Sequence, residues 1–279
     1  MQSLVAPSSV VLPNLNGFHL RQTLQCGQCF RWREISEGVF EGVVRNAVCR
    51  ASMQGTSLVL DGATEEDFTR VWRCYFDLDT NYDAVRLALA AYPPLADAVR
   101  YAGGIRILRQ DGWEALATFI LSQNNNIVRI TGIVARLCET FGQPLPGGYH
   151  AFPGPAQLAG LTPEDLAPLR AGFRARYLLD AACRVQSGDV DLTALSSLPL
   201  SQARAMLMRI VGVGPKVADC ALLFGFYRLE CFPVDVWIAR ALREVLPDGL
   251  PASLLPVAGI AQQMLFHYMR TCPERPTGV

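Results

Sequence analysis

The stretch Ile210-Val-Gly-Val-Gly-Pro-Lys-Val-Ala-Asp-Cys220 constrains this chain more than any other. Glycines two residues apart, Gly212 and Gly214, make a tight turn whose successive N–H groups point the same way. Glycine tolerates positive φ there, and such a nest binds phosphate oxygens without a side chain. Pro215 suits the first turn of a helix, and Lys216 through Phe224 reads as mostly apolar helix. With the helical pattern of Ser201–Ile210 before it, the unit spans about residues 201–226. It puts the Lys216 amine beside a helix N-terminus, close to any bound phosphate.

A count of basic residues sharpens the point, because the chain has 24 Arg and one Lys, and that Lys is Lys216. Arginine serves most solvated roles equally well. It cannot serve as a nucleophile, since guanidinium keeps its proton in proteins while an amine can lose one. A second informative stretch is Phe232-Pro-Val-Asp-Val-Trp237. There Asp235 stands directly before the helical pattern Val236–Val245 and can cap it.

At 279 residues the chain should form two or so domains with a sizeable core. No apolar run approaches the length of a membrane span, and no secretory signal pattern opens the sequence. The nine cysteines, an odd number, read as free thiols. Cys26-Gly-Gln-Cys29 lacks a second pair or a nearby His, and no four clustered cysteines could hold an iron–sulfur centre, so no metal is expected. Net charge is zero, with 8 basic against 11 acidic side chains in residues 1–97 and 17 against 14 in 98–279. Any nucleic-acid surface must therefore rest on local arginine clusters and backbone nests.

Along the chain, about residues 3–60 alternate short apolar runs with turn signals, and Val39–Arg45, Ala47–Ala51 and Ser57–Leu60 read as strands. From Thr64 the period becomes helical, with a cap at Thr64 and an amphipathic segment Asn81–Tyr92 ended by Pro93-Pro94. The expected division is an α+β domain over 1–97, with an antiparallel sheet and flanking helices, and a mostly helical domain over 98–279. Within the second, helices are expected at Asp111–Ser122, Ile127–Phe141, Pro163–Leu169, Ala175–Val185, Val236–Val245 and Val257–Thr271.

Two further clusters suit DNA. Leu121-Ser-Gln-Asn-Asn-Asn-Ile-Val-Arg129 sets three amides between apolar helices, of which capping accounts for one. Arg170-Ala-Gly-Phe-Arg-Ala-Arg-Tyr177 interleaves basic residues with Phe173, which fits phosphate contact plus insertion into a base stack. A solvated helix start with Phe173 in the core fits equally.

Five motifs in order then carry a resemblance: Gly-Gln-x-Phe-Arg-Trp-Arg, Asn-Asn-Asn-Ile-x-Arg-Ile-Thr-Gly, Gly-x-Arg-Ala-Arg-Tyr, Gly-Val-Gly-x-Lys-Val-Ala-Asp-Cys and Pro-Val-Asp-Val. From Leu24 to about Arg270 the chain resembles the 8-oxoguanine DNA glycosylase/lyases of the helix-hairpin-helix superfamily. The resemblance implies that a damaged nucleotide is flipped out of the duplex. It implies that Asn124 enters the vacated space, Phe173 wedges the stack, and Arg129 and Arg174 bond the partner base, normally cytosine. Gly27 would offer its carbonyl to the N7–H that 8-oxoguanine has and guanine lacks. Gln262 would read the Watson–Crick edge, with Phe266 and Cys220 on the two faces of the base. Lys216 would attack C1′ and form a Schiff base, with Asp235 stabilising charge on the sugar.

The amides of Gly212 and Gly214 would anchor the DNA backbone, where a bound cation could complete the hairpin; no cofactor is otherwise required. Phe173 replaces the Tyr usual in the animal enzymes, and Trp237 replaces a His, leaving its indole N–H to contact phosphate. The expected partner is double-stranded DNA carrying 8-oxoguanine, bound by a monomer in a bacterial cytoplasm, with no membrane. Two alternatives remain: a related glycosylase for another damaged purine, and a non-catalytic helix-hairpin-helix DNA-binding protein.

Overall fold

The computed structural model describes residues 8–273; residues 1–7, at the start of the expected sheet region, and 274–279 lie outside them. The first part is a five-stranded antiparallel sheet in the order β1-β5-β4-β3-β2. Its strands are β1 (Ser9–Leu12), β2 (Trp32–Ser36), β3 (Val39–Val44), β4 (Ala47–Gln54) and β5 (Ser57–Asp61), with α1 (Leu20–Gln25) between β1 and β2. Alternation decides which face is buried. Phe40 pairs with Ala51, which pairs with Leu60, and all three point into one core with Val10, Trp72, Tyr75 and Phe76.

The helical run that closes this core opens on a capping box, with Thr64 Oγ1 accepting from Asp67 N and Asp67 bonding back to Thr64 N. It passes from α2 (Glu65–Asp67) through a π-helical stretch, Phe68–Trp72, into α3 (Arg73–Tyr75). The rest of the described chain is mostly helical: α4 (Tyr82–Ala90), α5 (Ala96–Ala102), α6 (Gly112–Leu121), α7 (Ile127–Phe141), a two-strand hairpin β6 (Pro144–Leu145) and β7 (Tyr149–His150), α8 (Pro155–Leu158), α9 (Arg174–Gln186), α10 (Leu200–Leu207), α11 (Pro215–Phe226), α12 (Val236–Glu244) and α13 (Ala258–Thr271). An α+β architecture is what the alternation and its change of period predicted.

α6 is the central rod of the second core. It is buried from Ala115 to Leu121, a stretch whose only polar side chain is Thr118, and α11 packs along it, with Phe119 and Phe224 stacked at 5.2 Å. This core also takes in Tyr82, Leu89 and Leu95, so α4 and the turn Pro93–Leu95 pack with the helices although they precede residue 97. The helix expected over Pro163–Leu169 does not form. Only Ala167–Leu169 makes a 3-10 turn, because Pro168 has no N–H for the Glu164 carbonyl, which is met instead by Ala167 N.

The two cores are joined by a buried carboxylate. Asp77 accepts from Tyr82 (2.9 Å), Tyr227 (2.6 Å), Thr80 (2.9 Å) and Arg109 (2.7 Å), while Arg106 donates to its carbonyl (2.7 Å). Tyr227 terminates α11 in the left-handed region, so this hub fixes the far end of the helix that begins at Lys216. A buried charge survives only when it is paired and fully bonded, and this one is.

Candidate active site

Between α10 and α11 the chain makes the hairpin that the glycines dictate. Gly212 has φ +79°, and a Cβ there would run into the Tyr177 ring on α9, so the position is closed to other residues twice over. Val211 N donates to Asp180 at 2.7 Å and Val213 N to the Ile210 carbonyl at 3.0 Å. The N–H groups of Gly212 and Gly214 have no acceptor among the described residues. Arg204 on α10 clamps Asp219 on α11 through two bonds, 2.5 and 3.1 Å, which sets the angle between the two helices.

Lys216 stands half-buried in the first turn of α11, its Nζ 5.6 Å from the centre of the Phe119 ring. One turn on along α11 lies the buried Cys220 thiol. Burial pushes that thiol up to about 11, the Lys216 charge opposing the shift and Asp235 adding to it, so all three groups share one site and the thiol stays protonated. Asp235 caps α12: Oδ1 accepts from Trp237 N (3.0 Å) and Ile238 N (2.9 Å), and Oδ2 takes no described donor. Trp237 itself is half-buried against the helical core.

α13 carries Gln262 and Phe266 one turn apart. Gln262 is 5 % exposed; its Nε2 donates to the Pro233 carbonyl at 3.0 Å, while Oε1 is buried with no partner. An orphaned acceptor of this kind costs about 1–3 kcal/mol until something donates to it. The turn after α1 approaches the same place with Gly27 at φ +87°. Its neighbours' carbonyls are all occupied: Gln25 by Arg270 (3.1 Å), Cys26 by Gln263 (3.0 Å) and Gln28 by Gln110 (2.6 Å). The Gly27 carbonyl alone accepts nothing among the described residues.

The remaining candidates form a separate cluster on the loops before α7 and α9. Asn126 caps α7 and Asn125 Nδ2 bonds the Leu121 carbonyl (3.2 Å), which leaves Asn124 exposed at φ +46°. Arg129 is exposed one turn into α7, and Phe173 is 50 % exposed rather than packed in the core. Arg174 is different. It is 3 % exposed, and its guanidinium donates to the carbonyls of Gln123 (2.6 Å), Asn124 (2.7 Å) and Ala171 (3.2 Å). Two of these bonds hold the Asn124 loop, and the third ties the guanidinium to the loop before α9.

Comparison with known proteins agrees with this geometry. Residues 10–116 match the family described as 8-oxoguanine DNA glycosylase, N-terminal domain, and 117–248 match the HhH-GPD superfamily of base excision DNA repair proteins. MBOgg1, solved in complex with a low affinity DNA ligand, is 39% identical, with 94% of this chain and 95% of that one covered at a TM-score of 0.88. This chain belongs to the 8-oxoguanine DNA glycosylase family. The Clostridium acetobutylicum 8-oxoguanine glycosylase/lyase, in complex with dsDNA containing cytosine opposite to 8-oxoG, is 36% identical over 94% of this chain and 95% of its own, TM-score 0.87. A probable N-glycosylase/DNA lyase of Methanothermobacter thermautotrophicus is 28% identical, covering 82% of this chain and 83% of its own.

In this glycosylase the motif reading found the hairpin, Asp235 and the α13 face, but it missed what holds them. Gln28, Gln110 and Gln263 fix the Gly27 turn, and Arg204 with Asp219 fixes the hairpin. Gln28 is fully buried and bonds the Thr23 carbonyl, the Arg106 carbonyl and Leu108 N, each at 2.9 Å. A sequence signal existed for the first: a glutamine inside an otherwise apolar and small turn has to find partners. Among the described residues no group of three His, Cys, Asp or Glu side chains converges as a metal set, and no helix is long and apolar enough to cross a membrane.

Proposed function

We propose that this enzyme excises 8-oxoguanine from duplex DNA opposite cytosine and then nicks the abasic site. The observation that carries the reading is the Gly27 carbonyl, left unpaired between three occupied neighbours on a turn clamped by glutamines. A rigid, unpaired acceptor favours a donor and repels a lone pair. At N7 that difference separates 8-oxoguanine, which carries N7–H, from guanine, and a buried mismatch of this sort costs about 1–3 kcal/mol. The orphaned Oε1 of Gln262 complements it, since the Watson–Crick edge of guanine presents N–H donors.

The flipped base lies between the Phe266 ring and the Cys220 thiol. The hairpin amides at Gly212 and Gly214 bind the phosphates, and the Trp237 indole adds a donor. Asn124 fills the vacancy left in the duplex, Phe173 wedges the adjoining step, and Arg129 with the free N–H groups of Arg174 bonds the stranded cytosine. The Lys216 amine attacks C1′ as the C1′–N9 bond breaks and the departing base takes up a proton. The sugar ring opens to a Schiff base. Loss of a C2′ proton then expels the 3′ phosphate. The free Oδ2 of Asp235 stabilises positive charge on the sugar and serves the proton transfers.

Borohydride trapping on a duplex with one 8-oxoguanine opposite cytosine tests the reading. A covalent adduct is expected with the unaltered protein and none with Lys216→Gln. An adduct that survives Lys216→Gln assigns the nucleophile elsewhere. Lesion binding without any adduct implies a water-using glycosylase, and no lesion preference leaves a DNA-binding module.

A further inference from the structure

Arg270 is a charged residue that neither the hairpin chemistry nor the base contacts above employ. It lies one turn beyond Phe266 on α13, with its guanidinium carbon 5.2 Å from the centre of the Phe266 ring. Nη2 donates to the Gln25 carbonyl at 3.1 Å. Nη1 sits 3.7 Å from where a Cβ on Gly27 would stand, and it donates to no described group. From the α7 side, Ile127 Cδ1 comes within 3.1 Å of the same point, so the arginine and the isoleucine bracket Gly27. Among the described residues no carboxylate pairs with this guanidinium, although it is partly buried. A cation that gives up water without gaining an ion pair is unsatisfied, and Nη1 still has its hydrogens to offer.

We infer that Arg270 is a specificity-determining residue that donates through Nη1 to a carbonyl oxygen flanking N7 on the flipped base. The inference rests on the proposed function, because it uses the Gly27 carbonyl as the partner of N7–H. On a purine, the atoms beside N7 carry O6 on one side and, in the oxidised base, O8 on the other. A guanidinium beside the acceptor for N7–H therefore meets one of those oxygens. The pair becomes an acceptor for the N–H and a cation for the neighbouring carbonyl. Guanine offers a lone pair at N7 and no O8, so it loses the first contact and, where O8 is the partner, the second also. The contact with Phe266 and the bond to the Gln25 carbonyl pre-orient the fork, so little side-chain freedom is lost on binding.

The test is equilibrium binding in the Lys216→Gln background, which separates recognition from cleavage. Duplexes would carry 8-oxoguanine, its 8-thio analogue, 6-thio-8-oxoguanine or a tetrahydrofuran abasic site, each opposite cytosine. Arg270→Leu should weaken binding of the 8-oxoguanine duplex about tenfold or more, as expected for a charge-assisted bond, and leave the abasic duplex unchanged. Equal losses on both duplexes, with a shallower salt dependence, would assign Arg270 to a phosphate and overturn the inference. No loss on either would overturn it as well.

The thio duplexes need no variant at position 270 and so do not depend on Arg270→Leu folding. Sulfur is a poorer acceptor. With Arg270 present, weaker binding of one thio duplex identifies the oxygen as O8 or O6, and equal binding of all three base-bearing duplexes refutes the contact. Should the Lys216→Gln protein itself fail to prefer 8-oxoguanine over guanine, the failure belongs to the proposed function and not to Arg270.

Discussion

Gln263 on α13 donates through Nε2 to the carbonyl of Cys26 at 3.0 Å, across 237 positions of sequence. The bond ties the turn that carries Gly27 to the helix that carries Gln262 and Phe266, so these three residues keep a fixed spacing. Gln263→Leu removes the donor, is close to the same volume, and leaves a buried carbonyl unpaired. Unfolding in urea should show a loss of about 1–3 kcal/mol. Single-turnover excision of 8-oxoguanine should fall further than affinity for an abasic duplex does. A proportionate fall in both would mean that Gln263 only stabilises the fold.

Asp235→Asn retains an Oδ1 that can cap α12 but removes the charge. Stability should change by less than about 1 kcal/mol, since the cap is kept. Lesion binding should persist while single-turnover excision slows by about a hundredfold or more. Near-normal excision would end the assigned role.

Gly212→Ala places a methyl group against the Tyr177 ring at a position held at positive φ. The hairpin must shift, and affinity for duplex DNA should drop about tenfold with or without a lesion, because the nest meets backbone and not base. A loss confined to lesion duplexes, measured by anisotropy, would contradict the phosphate role.

Burial lowers the pKa of His267 to about 4, with Arg270 and then His19 adding to the shift, and its Nδ1 is buried without a partner. In the unfolded chain the group titrates near its ordinary value of about 6.5. The folded state therefore binds fewer protons, and folding stability should fall as pH drops from about 6.5 through 4 and stay flat on this account above 7. Thermal unfolding at pH 7.5 and 5.0, compared with a His267→Gln variant, reads the effect. Identical pH profiles for the two proteins would exclude His267 as its source.

What could be read from sequence was local. The glycines at 212 and 214 with Pro215 specify a turn and a helix start, and the helix runs from Pro215 to Phe226, two residues beyond the pattern. The apolar period gives Ile127–Phe141 to the residue. Asp235 is legible because a cap is defined by the next three positions of the chain. The edge strands β1 and β2 went unread, since each is short and only partly buried. The amides at 28, 110 and 263 and the Asp77 hub depend on partners up to hundreds of residues away, and one buried polar residue leaves no period. Arg174 shows the other limit: its side chain could be assigned to DNA from its motif, yet its hold on the Asn124 loop is visible only in three dimensions.

The Asp77 hub sets how the molecule can be dissected. A fragment beginning at residue 98 would keep Arg109 and Tyr227 but lack the carboxylate they converge on, and would keep Gln110 without the Gln28 carbonyl it bonds. It would also leave Gln263 and Arg270 on α13 without the Cys26 and Gln25 carbonyls they bond. Lys216 and its hairpin lie wholly within such a fragment, but the ground on which they stand does not, so the sheet-bearing half is as much a part of the enzyme's working frame as the half that holds the hairpin.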